Sequence, residues 1–236
     1  MKSIILRISA YKEKDAVVTA INEEGIITFI VKGLLSSKSK FLALNNPLTI
    51  AELRLSEEGK YKHPILKDVN IIASPLNLMG RLRDLSLIML LADLVNVTLQ
   101  DEEKLVVFQY LLSSLEDIYK NYKINENILF FLFKVLTVTG YEFSVDNCVT
   151  CNSKESIVTF SFEKGGFICK NCKEINDKIL TSSTTLLKLR YLIKTKTNKF
   201  DFEPIADDEF ENILKDLIVF FEDNFGVDIK NKQLLF

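Results

Sequence analysis

The sequence has no apolar run near the roughly 20 residues that a membrane-spanning helix needs. Its densest stretch, Ile128 to Phe133, covers six. Its beginning, Met1-Lys2-Ser3-Ile4, lacks the apolar region and cleavage site of a secretory signal. There is no Gly-x-x-x-x-Gly-Lys-Ser/Thr, which argues against a P-loop nucleotidase, and the eight glycines form no Gly-x-Gly-x-x-Gly of a dinucleotide site. Histidine occurs once, as His63 beside Pro64, with no cysteine or carboxylate at motif spacing. A surface histidine is the default reading there, ahead of a catalytic base. The acidic pairs Glu23-Glu24, Glu57-Glu58 and Asp207-Asp208 fall at turns or a helix start, where solvation or capping accounts for them. Nothing assembles an active site, so the chain is not expected to be an enzyme or to take a small-molecule substrate.

A strong charge of one sign is also missing. The net charge is −2, without the basic excess of many nucleic-acid binders. That total conceals an asymmetry, because residues 1–80 carry +3 and the remainder −5. A modestly basic amino-terminal part joined to an acidic carboxy-terminal part is suggestive. With 236 residues and 47% hydrophobic content, the chain has room for one or two globular domains.

What is present begins with cysteine. All four cysteines stand in two knuckles, Cys148-Val149-Thr150-Cys151 and Cys169-Lys170-Asn171-Cys172, with seventeen residues between them. Two Cys-x-x-Cys pairs at this separation match a four-thiolate zinc site. A disulfide framework would suit a secreted chain, and a redox Cys-x-x-Cys usually stands once beside a βαβ unit; neither context is visible. Four thiolates fill a tetrahedron, so the ion is expected to be structural and a zinc hydrolase is disfavoured. Between the knuckles, Ile157 to Phe162 reads as a strand, Glu163-Lys164-Gly165-Gly166 as a turn and Phe167-Ile168 as the return strand. Reduced cysteines and no targeting signal give a cytoplasmic expectation.

Along the chain, the first seventy residues alternate like strands. Ile4, Leu6 and Ile8 are expected to share one face, followed by Val17, Thr19 and Ile21, then Ile27, Phe29 and Val31. A fourth strand covers Leu48 to Leu55 and a fifth about Tyr61 to Ile72. Five short strands with turns suit a small closed barrel, for which the OB-fold is the leading candidate. After Ser74-Pro75 the period becomes helical. Leu82, Leu85, Met89, Ala92 and Leu99 mark one stripe; Leu87, Leu90, Leu91 and Leu94 make that helix apolar nearly all round. A second helix shows Leu105, Phe108, Leu112, Leu115 and Tyr119, and a third runs from Asn127 to Thr139 before Gly140. Two more follow the cysteines, around Thr184–Lys194 and Asp208–Asn224. The expected architecture is therefore α+β: a five-stranded OB-fold barrel over residues 1–78, then an α-helical bundle over 79–236 interrupted by a zinc module at about 146–175.

The candidate nucleic-acid site is the loop Lys32-Gly33-Leu34-Leu35-Ser36-Ser37-Lys38-Ser39-Lys40-Phe41. Lys32, Lys38 and Lys40, with serines between them, can grip a phosphate backbone; a solvated loop is the competing reading. Lys2, Arg7, Arg54, Lys60 and Lys62 extend a basic path, and Arg81 and Arg83 continue it or pair with nearby acids. Phe29, Phe41 and Tyr61 are stacking candidates that fit core packing better.

This order of features resembles the RecO family of bacterial recombination mediators over nearly the whole chain. The most specific parts are Glu13-Lys14-Asp15, Lys32-Gly33 through Lys40, Pro47-Leu48, the two cysteine knuckles, and Phe160-Ser161-Phe162 followed by Gly165-Gly166-Phe167. Members often carry more arginine or lysine in the loop, where this chain has Leu34, Leu35 and Ser36. The resemblance implies a nucleoid-associated protein of the DNA damage response that binds single- and double-stranded DNA and anneals complementary strands. It also implies action with RecR in loading RecA, and contact with the acidic, hydrophobic-ended tail of single-stranded-DNA-binding protein. The alternative is a protein-interaction scaffold with a structural zinc site and no nucleic-acid role.

Overall fold

The computed structural model describes residues 1–56, 63–78, 80–175, 182–229 and 232–233. Two compact units emerge, Met1–Tyr122 together with Ile229–Phe236, and Lys123–Asp228. Among the described residues, no helix is long and apolar enough to cross a membrane.

The first unit holds strands β1 (Lys2–Tyr11), β2 (Asp15–Asn22), β3 (Gly25–Val31), β4 (Ile50–Leu55) and β5 (Leu66–Ala73), then helices α1 (Leu82–Thr98) and α2 (Asp101–Tyr119). The strands form one antiparallel sheet in the order β3-β2-β1-β4-β5. The expected OB-fold barrel is corrected by this arrangement: the sheet does not close. Between its edge strands there is no ladder among the described residues, only an isolated parallel bridge from Ile30 to Ile65, with Ile30 N–H donating to the Pro64 carbonyl at 2.9 Å. Proline has no amide hydrogen to continue such a ladder. Tyr61 and Lys62, at the start of the expected fifth strand, lie outside the described residues, and β5 itself begins at Leu66.

The alternation in β1 also differs from expectation. The β1–β2 register shifts between Ile5 and Arg7, which leaves Leu6 as a bulge. Asn96 on α1 donates through Nδ2 to the Leu6 carbonyl at 2.9 Å, where the ladder is interrupted. The extra residue changes which side chains share a face. Ile5, Val18, Ala20, Phe29 and Val31 line one core, with Ile8 packed against it. Ile4 and Ile21 pair across the strands, and both are buried. Leu34 and Phe41 belong to the core on the Ile5 side, so Phe29 and Phe41 are packing residues and not exposed platforms.

Helix α1 buries Leu87, Leu90, Leu91 and Leu94, but Leu82, expected on the buried stripe, is 81% exposed and Met89 is partly exposed. The core takes the neighbouring rows of the helix. Helix α2 begins with a capping box in which the Gln100 N–H donates to Glu103 Oε2 at 2.6 Å, with Asp101, Glu102 and Glu103 at the positive end of the dipole. Tyr119 near its end donates to the Leu48 carbonyl at 2.9 Å, joining helix to sheet. Its burial raises the phenol pKa above the ordinary value.

The second unit is built on α3 (Ile124–Val138), buried from Asn125 to Leu136. It is apolar on nearly all sides, as a central helix must be. It ends at Gly140, whose φ of +93° is one that L side chains rarely adopt. Its buried polar groups all have work. Glu126 accepts from the Ile205 N–H at 2.5 Å, and Asn125 donates to Asp207 at 2.9 Å. Lys134 donates to the Ile193 carbonyl at 2.8 Å, in the last turn of α4 (Ser183–Lys194). Burial lowers the Lys134 pKa to about 8. The unit is completed by the hairpin β6 (Ile157–Ser161) and β7 (Gly166–Cys169) and by α5 (Asp207–Phe225).

An aromatic seam joins the hairpin to the helices. Phe133 of α3 lies 6.3 Å, centroid to centroid, from both Phe160 and Phe162, while Phe162 lies 5.7 Å from Phe220 of α5. Phe143, in the segment after α3, touches all four of these rings. The backbone of Ser144 bridges the turn: Ser144 N–H donates to Gly165 O and Phe167 N–H to Ser144 O, each at 2.9 Å. Gly166 permits this approach. A Cβ there would stand 2.1 Å from the Ser144 oxygen, and φ is +152°. Replacing Gly166 by Ala is expected to cost on the order of 2–3 kcal/mol, seen as a thermal midpoint several degrees lower. Gly226→Ala falls in the milder left-handed α region, at φ +63°, with open space around it, and about 1 kcal/mol is expected there. Equal midpoints for the two variants would contradict this account of the Ser144 contact.

Candidate metal centre and nucleic-acid interface

The four cysteines converge. Their sulfurs lie within 4.8 Å of one another, and Cys151 Sγ to Cys169 Sγ is 3.6 Å. A zinc–sulfur bond near 2.3 Å requires tetrahedral sulfur separations of about 3.8 Å, so the donor set fits such an ion. Local backbone bonds shape each knuckle. Cys148 N–H donates to Ser153 O at 2.7 Å and Asn152 N–H to Cys148 O at 2.9 Å. In the second knuckle, Cys172 and Lys173 N–H both donate to Cys169 O, at 3.1 and 3.0 Å. Lys170 N–H donates to Ser156 O at 2.8 Å, and Val149 N–H to Phe167 O at 2.9 Å, so the hairpin carries both knuckles.

Two of the thiols are shifted in opposite directions by their neighbours. Burial pushes the Cys148 thiol up, but backbone N–H groups of Cys169, Cys151 and Thr150 and the Cys151 thiol outweigh it, bringing the pKa down to about 6. Cys172 is pushed up to about 12 by hydrogen bonding with Cys151, by burial and by the neighbouring sulfurs. One thiolate forms readily while a second is repelled, a conflict that a divalent ion at the centre removes. Cys148 and Cys169 are buried, Cys172 is half-buried and Cys151 is exposed. With four sulfurs bound, no position is open for water or substrate.

The basic residues of the first unit are distributed unevenly. Lys32, Lys38 and Lys40 are exposed on a loop of successive tight turns. Gly33, at φ +68°, donates to Asp15 Oδ1 at 2.9 Å, and Leu35 N–H donates to Lys14 O at 3.0 Å. The Glu13-Lys14-Asp15 turn thus staples the lysine loop while Leu34 anchors it in the core. Lys40 Nζ lies 4.7 Å from the centroid of the Phe41 ring. Arg7 is exposed on the sheet, opposite Thr19 of β2, which pairs in turn with Thr28 of β3. It lines a groove of about 860 Å³ that also takes in Met89 and Lys104 from α1 and α2.

Several cations of this unit form ion pairs with its acids. Lys2 pairs with Glu116 at 2.5 Å and Arg54 with Asp68 at 3.3 Å. Arg81 meets Asp84 at 3.4 Å and donates to Asn121, and Arg83 reaches Asp84 at 3.9 Å. Lys60 and Lys62 lie outside the described residues. His63 is half-buried, with no shared cluster around it among the described residues.

A third feature was not legible in the sequence. In the second unit, a cavity of about 310 Å³ opens between α4 and the hairpin, floored by Val145, Ile157, Phe167 and Leu186. Leu187, 66% exposed, forms its lip, while Lys154 and Arg190 supply charge. Arg190 and Lys194, one helical turn apart, both bind Asp146. The local signal was Leu187, Arg190, Tyr191 and Lys194 falling on one face of α4; the hairpin beneath them comes from residues about 30 positions earlier.

Two family models match the chain. Residues 1–75 match the family model described as "Recombination protein O N terminal", and residues 79–233 match "Recombination protein O C terminal". The chain is 30% identical to the DNA repair protein RecO of Clostridium perfringens strain 13, over 83% of this chain and 80% of the relative. It is 23% identical to that of Caldanaerobacter subterraneus subsp. tengcongensis, covering 98% of this chain and 95% of the relative. A RecO of Halalkalibacterium halodurans is 26% identical over 99% and 92%.

If the four sulfurs hold one ion, the purified chain contains one zinc equivalent by elemental analysis, and Cys148→Ser or Cys169→Ser removes it. Metal removal is expected to withdraw on the order of 10 kcal/mol from folding around the knuckles, visible as loss of the near-ultraviolet aromatic signal. A chain isolated metal-free, with a spectrum unchanged by chelator, would contradict the assignment.

Proposed function

The chain belongs to the RecO family of bacterial DNA-repair and recombination proteins, and from that membership we propose that it is a mediator that binds single- and double-stranded DNA and anneals complementary strands. In the same proposal it works with RecR to load RecA onto gaps, and a structural Zn²⁺ braces its cysteine module. Like the family, it is not an enzyme. The observation that carries the DNA reading is the stapled loop at Lys32–Lys40. Three exposed ammonium groups on a backbone fixed to the sheet can neutralise phosphates without paying to order a mobile segment. Neutralising two strands at once lowers their repulsion, and base pairing then supplies the sequence recognition. Arg7 extends the path across the sheet face. We assign this role to residues 1–78 and place protein contacts in the helical part, 79–236.

The intramolecular pairing of Lys2, Arg54, Arg81 and Arg83 favours a second reading, in which the chain is a scaffold with no nucleic-acid partner. The Lys2 and Arg54 pairs are exposed and worth roughly 0–1 kcal/mol each, so phosphate can compete for them, whereas Arg81 and Arg83 share the buried Asp84 and are held more firmly. With the lysine loop outside these pairs, the DNA reading stands ahead. For the acidic, hydrophobic-ended tail of single-stranded-DNA-binding protein, the groove beside α4 offers the matching chemistry: an apolar floor, a leucine lip and a cationic rim.

Two outcomes test these assignments. Changing Lys32, Lys38 and Lys40 together to Glu is expected to slow annealing at least tenfold and to flatten the salt dependence of binding by about two to three logarithmic units per logarithm of salt. Unchanged annealing and salt slope would remove the loop from the interface. Separately, Leu187→Asp is expected to abolish binding of an acidic peptide ending in Phe while leaving DNA binding intact; retained peptide affinity would sink the groove assignment.

A further inference from the structure

The cationic rim of the groove beside α4 is not empty of acid. Arg190 donates to Asp146 Oδ1 through Nε at 2.8 Å and Nη2 at 2.5 Å, and Lys194 Nζ donates to Oδ2 at 2.6 Å. One carboxylate therefore satisfies both cations, using both of its oxygens, as a foreign carboxylate would. We propose that Asp146 is a built-in competitor: it fills the carboxylate position of the groove in the free protein, and a partner's carboxylate enters by displacing it. The inference rests on reading the groove as the seat of an acidic, hydrophobic-ended peptide.

Three observations support displacement over a permanent structural tie. Asp146, Arg190 and Lys194 are each close to half exposed, so water can replace either side of the contact as exchange proceeds. The backbone on each side of Asp146 is held without it. Ser144 is bonded to Gly165 and Phe167, Val145 is buried, and Cys148 is fixed by its knuckle. Losing the carboxylate contact therefore leaves the hairpin seated through the aromatic seam. Finally, Asp146 and Arg190 both line the cavity whose apolar floor includes Phe167 and Leu186. A peptide with a large apolar last residue can bury that side chain there and bring its terminal carboxylate to Arg190 at the cavity wall, with Lys194 one turn further along α4. Ligands with an apolar end but no carboxylate leave Asp146 in place and gain only the floor.

The test uses the full chain and a labelled peptide of four aspartates followed by Leu-Phe, with a free carboxyl or as the terminal amide. Fluorescence anisotropy would be read for the wild type, Asp146→Asn and Arg190→Met, and for Asp146→Asn combined with Arg190→Met. Competition predicts that Asp146→Asn tightens the free-carboxyl peptide by roughly two- to fivefold, the range of one exposed ion pair. The amide should change little, and the gain should vanish in the Arg190→Met background. Aromatic near-ultraviolet signal and metal content, measured in parallel, establish that the variants are folded; Asp146→Ser serves as a second removal of the carboxylate. If the peptide binds in an Arg190-dependent manner but both Asp146 variants leave affinity unchanged or weaker, the competitor role is overturned while the groove reading survives. If no variant binds the peptide, or binding ignores Leu187→Asp, the groove reading fails and the inference with it.

Discussion

Four thiols brought within 4.8 Å of each other are the constraint on which the second unit depends. Left to themselves they cannot all ionise, and the opposite shifts of Cys148 and Cys172 express that conflict. The chain around them is arranged to make the convergence useful. Each knuckle is closed by its own backbone bonds, and the strands between them present Phe160 and Phe162 to Phe133, Phe143 and Phe220. An ion at the sulfurs would fix one end of a two-stranded hairpin that is marginal alone, and the aromatic seam fixes its face. The groove beside α4 exists because that hairpin is held in place.

The first unit solves a different problem: how to hold cations outward on a sheet without an ordering cost. Leu34 is buried, Gly33 adopts the left-handed conformation the turn requires, and Asp15 receives the Gly33 amide. Lys32 and Lys40 are then exposed beside the buried Val31 and Phe41. The same sheet keeps Arg7 outward by virtue of the bulge at Leu6, since the register shift decides which face each side chain takes.

How much of this was legible follows the range of the interactions concerned. The cysteine knuckles, the hairpin between them and the helix stop at Gly140 depend on residues a few positions apart, and each stands where spacing places it. The strands were legible as strands, but the bulge at Leu6 is met by Asn96, 90 residues away, so simple alternation assigned Ile4, Leu6 and Ile8 to one face when Ile5 and Ile8 share the core. Barrel closure failed for a similar reason. Five strands specify a sheet, while closure depends on how Ile30 and Ile65 meet at the edges, and they meet in a single bridge. The stripe on α1 holds at Ala92 and Leu99, which are buried, but not at Leu82 and Met89, because a helix apolar nearly all round does not announce which row is inward. Asp146 and Arg190, 44 positions apart, carry no mutual signal in sequence at all.

Strand annealing tests the central claim most directly: that a lysine loop stapled to an open sheet lets this RecO-family chain pair complementary DNA. Labelled complementary oligonucleotides would be mixed with the zinc-loaded protein at low and at moderate salt, and duplex formation followed against spontaneous pairing. The account predicts acceleration at low salt that weakens steadily as salt rises, because phosphate neutralisation supplies the attraction. Neither acceleration nor DNA binding at low salt would contradict it and leave a folded scaffold whose function lies in its protein contacts.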